Sequence, residues 1–161
     1  MTQLYGIACG LVRSPPAHEL DALRLNEVGA SLLPGHLGIR ITSVSDGHVE
    51  GALEVRPIHL APNGFLHAAA VVALADTATG YGCARSLPAG ATGFTTAELK
   101  ANFLSTATTG ELQCVASLLH GGRTTQVWDA VVKEQSGRAL AVFRCTQIIL
   151  WPRTNDDEPG A

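Results

Sequence analysis

The stretch that decides the fold runs from residue 65 to residue 85 and reads FLHAAAVVALADTATGYGCAR. Alanine and other small residues dominate it, apolar and polar residues do not alternate, and the run is too long for a strand. We therefore predict one helix that is apolar all round, and a helix of this kind has to be buried. Gly80 and Gly82 are expected to weaken its last turns.

The segments before this helix predict a shorter helix and a hairpin. Apolar residues recur along residues 18–33 with helical spacing, and Pro34-Gly35 is expected to end that helix. Apolar residues then alternate with polar ones over residues 37–44, which is typical of a half-buried strand. Asp46-Gly47 is a two-residue hairpin signal, and a second alternating strand follows it.

The segments after the helix predict four more strands, at roughly 93–104, 111–120, 123–134 and 138–150. Short turns that contain glycine separate them, so we expect the four strands to be antiparallel neighbours. The buried helix and the sheet must cover each other, which a curved antiparallel sheet of about five to six strands wrapped around the helix achieves. This α+β arrangement is the hotdog fold.

Length and composition fit a single domain that associates with copies of itself. The chain has 161 residues, and we assign residues 18–150 to the domain, 1–17 to an N-terminal extension and 151–161 to a disordered tail. Apolar residues make up 46% of the chain and charged residues 16%, which is below the usual quarter. So few charges favour a surface that partner subunits cover.

Charge, cysteines and histidines narrow the class of protein. The net charge is −3 without a basic cluster, so neither nucleic acid nor membrane is an expected partner, and no segment qualifies as a membrane span. The four cysteines form no close pairs, which favours a reduced protein in the cytoplasm. The six histidines lack the short spacing of zinc ligands, so we expect no metal and no cofactor.

Asp76 is chemically unusual because no other Asp, Glu, Lys or Arg occurs between Pro57 and Ala84. A carboxylate on a buried helix is costly unless it is paired or opens on a cleft, and such isolated groups are candidate catalytic acids or bases. The structural alternative is a local hydrogen bond to Thr77 or Thr79. Small residues share the helix face of Asp76, which leaves room for a ligand or a second subunit.

The start of the same helix offers a second chemical feature. His67 lies there as a candidate catalytic residue, although a lone histidine in an apolar stretch is more often structural. The unpaired amides of a helix N-terminus favour negative charge, including the oxygen of a reacting carbonyl. Asp76 follows nine residues after His67, about 13 Å along an ideal helix axis. We therefore predict an active site shared by two antiparallel helices at a dimer interface, in a homodimer or homotetramer.

Three runs of sequence resemble a known family. The run PNGFLHAAAVVALADTATG is similar to the helix motif of hotdog acyl-CoA thioesterases of the PaaI-like, phenylacetate-degradation branch, with Gly64, His67 and Asp76 at the family's spacing. The runs TTAELKANFLSTATTGEL and HGGRTTQVWDAVVKEQSGRALAVF resemble a later strand and the final hairpin of that family. The resemblance covers about residues 34–150 and implies hydrolysis of an acyl-CoA thioester.

The resemblance also implies roles for single residues. Asp76 matches the carboxylate that attacks the thioester carbonyl or activates water, and Ala68 and Ala69 match a Gly-Gly pair whose backbone N–H polarises that carbonyl. Many members carry Asn or Gln at the position of Ala61; here Asn63 either substitutes for it or caps the helix. In some members a Ser or Thr from the neighbouring subunit's strand holds the attacking water, and Thr95 or Thr96 lies at about that position. The candidate contacts of the CoA moiety are Lys100, Asn102, Arg123 and Thr124.

Three functions are compatible with this sequence. A thioesterase that acts on an aryl- or medium-chain acyl-CoA fits the motif spacing best. A hotdog hydratase or dehydratase acting on a 3-hydroxyacyl thioester also pairs a histidine with a carboxylate, but in other motif contexts. Ala61, Ala68 and Ala69 leave open a third function, a non-catalytic acyl-CoA-binding module.

Overall fold

The computed structural model describes residues 21–152, which form three α-helices and six strands. In chain order these are α1 (Ala22–Gly29), α2 (Leu33–Leu37), β1 (Ile39–Ser45), β2 (His48–Glu54), α3 (Ala68–Arg85), β3 (Gly93–Phe103), β4 (Glu111–Gly121), β5 (Thr125–Glu134) and β6 (Ala139–Leu150). A 3₁₀ turn at Pro57–His59 lies between β2 and α3. The predicted N-terminal extension, and the predicted tail from residue 153 onward, lie outside the described residues.

The six strands form one antiparallel sheet in the order β1-β2-β4-β5-β6-β3. The long helix α3 contacts every strand of this sheet. Leu74, Ala75 and Ala78 of α3 are buried in one apolar cluster with Leu53 of β2 and Trp128 of β5. The predicted fold class, a long buried helix against one antiparallel sheet, is confirmed.

The position of β3 differs from the sequence prediction. Strand β3 pairs with β6 and not with β4, while β4 pairs with β2. The segment 104–110 is therefore a crossover that connects β3, beside β6, to β4, beside β2. Its first residue, Leu104, donates its N–H to the Leu140 oxygen of β6 at 2.8 Å. Its last residue, Gly110, accepts the N–H of Val55, just after β2, at 2.9 Å. In the sequence, the short gap between β3 and β4 with its glycine is typical of a hairpin turn. In the structure the two strands are not paired, and β3 is an edge strand.

Over its described part, the predicted helix 18–33 consists of the shorter helix α1 and a turn that leads into a second helix, α2, which begins at Leu33. Asp21 caps the start of α1, and residues 18–20 lie outside the described residues. Pro34 lies in the first turn of α2, where its missing N–H is not needed, and so it begins a helix here instead of ending one. The chain reverses so tightly between the two helices that a Cβ atom on Gly35 would lie 2.1 Å from the Ala30 oxygen.

Gly82 is a point of close approach between α3 and the sheet. A Cβ atom there would lie 2.5 Å from the ring of Trp128, which is 0% exposed. We expect Gly82→Ala to lower the free energy of unfolding by about 1–3 kcal/mol, because the ring has no room to move in a packed core. Urea denaturation followed by tryptophan fluorescence measures this change.

Gly80 provides the matched control, since it lies in the same helix and its added Cβ would lie 3.5 Å from Phe94, an ordinary contact distance. Gly80→Ala is expected to leave the free energy of unfolding unchanged or raise it by up to about 1 kcal/mol. Equal losses in the two variants would contradict the proposed contact.

Candidate active site

The first turn of α3 presents a free backbone donor. His67 is the N-cap, and its Nδ1 atom accepts the N–H of Ala69 at 3.0 Å. The N–H of Ala70 donates to the His67 oxygen at 3.0 Å. The N–H of Ala68 has no acceptor among residues 21–152, and both Ala68 and Ala69 are exposed. The helix start therefore offers one unpaired amide, reinforced by the helix dipole, to an incoming carbonyl oxygen.

The loop before α3 is held by its own hydrogen bonds. Asn63 is exposed, and its Oδ1 atom accepts the N–H of Phe65 at 3.2 Å, which is a local turn contact. Ala61 is also part of this turn, since its N–H donates to the Phe65 oxygen at 2.8 Å. The N–H of His67 donates to the oxygen of His59 at 2.8 Å. This loop fixes where α3 begins.

His59 anchors that loop, a role that sequence reasoning missed. The side chain is 1% exposed; its Nδ1 accepts the N–H of Arg56 at 2.9 Å and its Nε2 lies 2.8 Å from the Leu37 oxygen. The imidazole thus joins the loop to the end of α2. A single histidine between Ile58 and Leu60 gives no periodic signal, so the sequence alone did not indicate this role.

Asp76 carries a buried carboxylate oxygen without a partner. The residue is half-buried, and its Oδ1 atom has no hydrogen-bond partner among residues 21–152. Burial raises the pKa of the Asp76 carboxyl above its ordinary value. The hydroxyl of Thr79 donates to the backbone oxygen of Asp76 at 3.1 Å and not to its side chain. The local hydrogen bond to Thr79 that would have given Asp76 a structural role is therefore not made by the carboxylate.

Asp76 lies on the open side of α3. One turn further along, Thr79 accepts a hydrogen bond from Cys145 of β6 at 3.4 Å, and Gly80 faces Phe94 of β3. Because residues four apart share a helix face, Asp76 points toward the same edge of the sheet as Gly80. We call the region between this stripe of α3 and the inward side chains of β3 the β3 trough. Its apolar members include Leu99 and Phe103, which are 44% and 48% exposed.

The register of β3 separates the two candidate threonines. Thr96 is paired with the buried Gln147, and its hydroxyl donates to Gln147 Oε1 at 2.9 Å, so Thr96 lies on the face that α3 covers. Thr95 is paired with the exposed Ile148 and lies on the opposite face. A bulge after Thr96 then shifts the alternation by one residue. Only Thr96 is on the same side of the sheet as Asp76.

The predicted CoA contacts lie elsewhere. Lys100 and Asn102 are on the outer face of β3, opposite Arg144 and Val142, and line a groove with a volume of ≈ 300 Å³. The other cation there, Arg144, is bonded to Asp129 at 2.5 and 2.7 Å, and this hydrogen bonding lowers the pKa of Asp129. The structure therefore does not bring Lys100 and Asn102 together with Asp76 of the same chain.

The turn between β4 and β5 holds the last two candidates. The guanidinium of Arg123 lies 4.3 Å from the ring centroid of Trp151, and the Trp151 indole donates to the Arg123 oxygen at 3.1 Å. Thr124 accepts the N–H of Ile149 through its backbone oxygen at 2.9 Å. These residues form a compact corner of the sheet with an exposed cation.

The described residues contain no obvious metal or thiol chemistry. Within residues 21–152, no three His, Cys, Asp or Glu side chains come together as a metal site would require. Cys83 and Cys114 are free and buried, and burial raises the pKa of each thiol to about 12, so neither is a nucleophile near neutral pH. Over the same range, every helix is too short or too polar to cross a membrane.

The fold, the unpaired Ala68 amide and the half-buried Asp76 carboxylate are together the features expected of a hotdog thioesterase. The family model of the thioesterase superfamily matches residues 63–141. The 1,4-dihydroxy-2-naphthoyl-CoA hydrolase of Listeria monocytogenes is 34% identical over 110 residues, which cover 68% of this chain and 89% of the relative. The chain therefore belongs to the thioesterase superfamily and is a thioester hydrolase.

Solved structures agree with this assignment. The thioesterase PA1618 of Pseudomonas aeruginosa has a TM-score of 0.78 and 27% identity, over 82% of this chain and 95% of that chain. The PaaI protein of the phenylacetic acid degradation operon of Escherichia coli has a TM-score of 0.66 and 26% identity, over 73% of this chain and 83% of that chain. The resemblance to the PaaI-like hotdog thioesterases is confirmed.

The raised pKa of Asp76 predicts a pH-dependent stability. At pH values between the ordinary carboxyl pKa, about 3.9, and the raised pKa of Asp76, the folded state binds more protons than the unfolded state. The free energy of unfolding therefore falls as pH rises through this interval, and it remains lower at higher pH. Asp76→Asn removes this loss. We expect the variant to melt at a higher temperature than the natural protein at pH 7, with a difference that disappears toward about pH 4.

Thermal unfolding followed by circular dichroism from about pH 4 to pH 8 measures this difference, since the interval covers the ordinary carboxyl pKa. A variant that is less stable at every pH would contradict the assignment and indicate that the carboxylate is a hydrogen-bonded core group.

Proposed function

We propose that the protein hydrolyses the thioester of an aryl- or medium-chain acyl-CoA to the free acid and CoA, with the Asp76 carboxylate as nucleophile or general base. The observation that carries this proposal is the buried Oδ1 atom of Asp76, which has no hydrogen-bond partner among residues 21–152. Such a carboxylate is kept at a cost to stability, and its raised pKa makes it a stronger base near neutral pH.

The unpaired N–H of Ala68 supplies the second element of the reaction. It donates to the thioester oxygen and stabilises the negative charge that develops there as the carbonyl is attacked. As nucleophile, Asp76 forms a bond to the carbonyl carbon, the CoA thiolate leaves, and water then cleaves the resulting anhydride. As general base, Asp76 takes a proton from water while the water oxygen attacks the same carbon and the thiolate leaves. His67 and Asn63 contribute by fixing the loop that presents this amide.

The two elements of one chain are too far apart to act on one carbonyl. Ala68 and Asp76 are eight residues apart in α3, which is about 12 Å along the helix axis. A second copy of the chain, with its α3 antiparallel to the first, brings the amide of one helix beside the carboxylate of the other. We therefore propose a dimer with two shared sites, alone or within a tetramer.

The edge strand β3 is the proposed dimer contact. Its 11 residues have a neighbour on only one side, β6, and an unpaired strand edge is a template for pairing with another chain. Leu99, Phe103 and Leu104 expose 44%, 48% and 61% of their surface along this strand and just after it. A second copy at this edge would cover these side chains and close the β3 trough, where Ala69 and Thr96 are proposed to contact substrate.

Substrate class and location follow from the same features. The naphthoyl-CoA in the name of the Listeria relative supports the aryl alternative. Lys100, Asn102, Arg123 and Thr124 lie outside the trough, where the CoA phosphates would remain in solvent while the acyl group enters the apolar trough. Free, buried cysteines support a reduced, cytoplasmic location.

Asp76→Asn tests the chemistry. The amide is nearly isosteric with the carboxylate but can neither attack nor accept a proton readily, so kcat should fall by about a hundred- to ten-thousandfold. Release of free CoA thiol from a panel of aryl- and medium-chain acyl-CoAs measures turnover. Asp46→Asn is the control, because Asp46 lies exposed in the β1–β2 turn, where it pairs with Arg85 at the end of α3.

Retention of more than about a tenth of the natural turnover by Asp76→Asn would refute the role of Asp76. A natural protein that changes only the acyl chain would indicate lyase chemistry, and one that binds acyl-CoA without releasing thiol would indicate a binding module.

A mixture of two inactive variants tests the shared site. Ala68→Pro deletes the proposed donor with little strain, because proline suits the first position of a helix and His67 already has the extended backbone, φ −71 and ψ 135, that proline requires before it. Each variant alone should be inactive. A mixed dimer of Ala68→Pro and Asp76→Asn chains has one complete site, so co-expression should restore about a quarter of the natural turnover per chain if subunits associate at random.

Activity is measured by thiol release, and the two variants purified separately and assayed together without subunit exchange serve as the control. Absence of any gain in co-expressed, correctly folded mixtures would show that each site is built from one chain.

A further inference from the structure

A continuous row of hydrogen bonds joins β3 to α3 beneath the β3 trough. Its centre is Gln147 of β6, which is 0% exposed. The row consists of four bonds: Thr96 Oγ1 to Gln147 Oε1 at 2.9 Å, Gln147 Nε2 to Cys145 Sγ at 3.4 Å, Cys145 Sγ to Thr79 Oγ1 at 3.4 Å, and Thr79 Oγ1 to the Asp76 oxygen at 3.1 Å. It therefore links the threonine of the trough to the backbone of the candidate catalytic residue.

Every bond in the row has a defined direction. The Gln147 amide has one oxygen and one NH₂ group, and each has its partner within the row. Cys145 is buried, and desolvation raises the pKa of its thiol, so it remains an S–H donor toward Thr79 at neutral pH. The negative charge of Asp76 also raises the pKa of Cys145.

The direction of the first bond determines what Thr96 offers to the trough. A hydroxyl has one proton and two lone pairs, and here Gln147 accepts the proton. Thr96 therefore presents only acceptor lone pairs to its surroundings. A water molecule that donates one hydrogen to Thr96 and the other to a carboxylate keeps its own lone pair free to attack a carbonyl carbon.

We infer that Gln147 is a positioning residue for hydrolysis, which fixes the Thr96 hydroxyl as an acceptor and, through Cys145 and Thr79, holds the Asp76 turn of α3 in register with the sheet. The inference rests on the proposed function of Asp76. Gln147 itself is buried below the trough and acts on the reaction through these neighbours only.

The neighbouring strand contains a matched control. Gln126 of β5 is paired directly with Gln147 in the sheet and is 1% exposed. Its amide accepts the Trp128 indole N–H at 2.9 Å and donates to the Ser86 oxygen at 2.8 Å. Both glutamine side chains are therefore buried on the inner face of the sheet, and each amide makes two hydrogen bonds. Only Gln147 is connected by hydrogen bonds to Thr96 and Asp76.

The experiment compares Gln147→Leu with Gln126→Leu for kcat, KM and melting temperature. Both variants should melt at lower temperature, because each leaves buried polar partners unpaired. We expect Gln147→Leu alone to lower kcat, by roughly five- to tenfold with KM within about twofold, since the loss corresponds to one hydrogen bond of ordinary strength in the transition state. The kcat of Gln126→Leu should stay within about twofold of the natural value.

A double variant tests whether Gln147 acts through Thr96. If it does, the kcat loss of Gln147→Leu combined with Thr96→Val should be smaller than the product of the two single losses, because Thr96→Val already removes one of the two routes by which Gln147 acts. Losses that multiply, or equal kcat losses in Gln147→Leu and Gln126→Leu, would overturn the inference.

Two further variants keep the test decisive. If Gln147→Leu does not fold, Cys145→Ala breaks the same row without touching the bond to Thr96, and an unchanged kcat in that variant would overturn the link to Asp76.

Gln147→Glu copies both bonds only when protonated, so its kcat relative to the natural protein should rise as pH falls; a ratio independent of pH counts against the inference. Asp76→Asn in the same assay separates the two proposals, because high residual turnover there refutes the proposed function whatever the Gln147 variants do.

Discussion

The burial of α3 against one face of the sheet is the constraint on which the rest of the structure depends. An apolar helix of 18 residues cannot remain in water, and all six strands contact it. Gly82 allows the helix to approach the Trp128 ring closely. The sheet ends at β3, however, so the helix stripe that faces this edge is covered on one side only, and the half-buried Asp76 lies on that stripe. The proposed site is thus the part of the helix that one copy of the sheet does not cover.

In the proposed mechanism, the same rigid helix explains why one chain is not enough. It supplies a free amide at its first residue, Ala68, and a desolvated carboxylate at Asp76, and the helical rise keeps the two about 12 Å apart. No side-chain movement in one chain shortens that distance by enough. In this proposal one event, the approach of a second α3, both covers the open stripe and completes the site. A surface with few charges is the composition expected of a chain that buries its own edge.

Much of the fold could be predicted because its signals are local. Alternation indicated the strands to within a few residues, and the absence of alternation indicated α3. The pairing of β3 with β6 could not be predicted, since it depends on the path of residues 104–110 across the end of the sheet. The bulge after Thr96 had the same effect on the site: an extra residue reverses the faces of the strand, so sequence parity could not decide between Thr95 and Thr96. Asp76 was accessible to sequence reasoning because an isolated charge in an apolar run needs no knowledge of the pairing.

The alanines of the helix start bear on whether the site can polarise a carbonyl at all. Glycine would be required at Ala68 or Ala69 only if the backbone there had a positive φ, and within residues 21–152 positive φ occurs at glycines alone. Both alanines lie in regular helix, where a Cβ atom causes no strain. The donor is the backbone N–H, which alanine has as glycine does, and the N–H of Ala68 remains without an acceptor in the described chain. Alanine in place of glycine therefore removes no chemical group from the proposed site; it only adds a methyl group at each of the two positions.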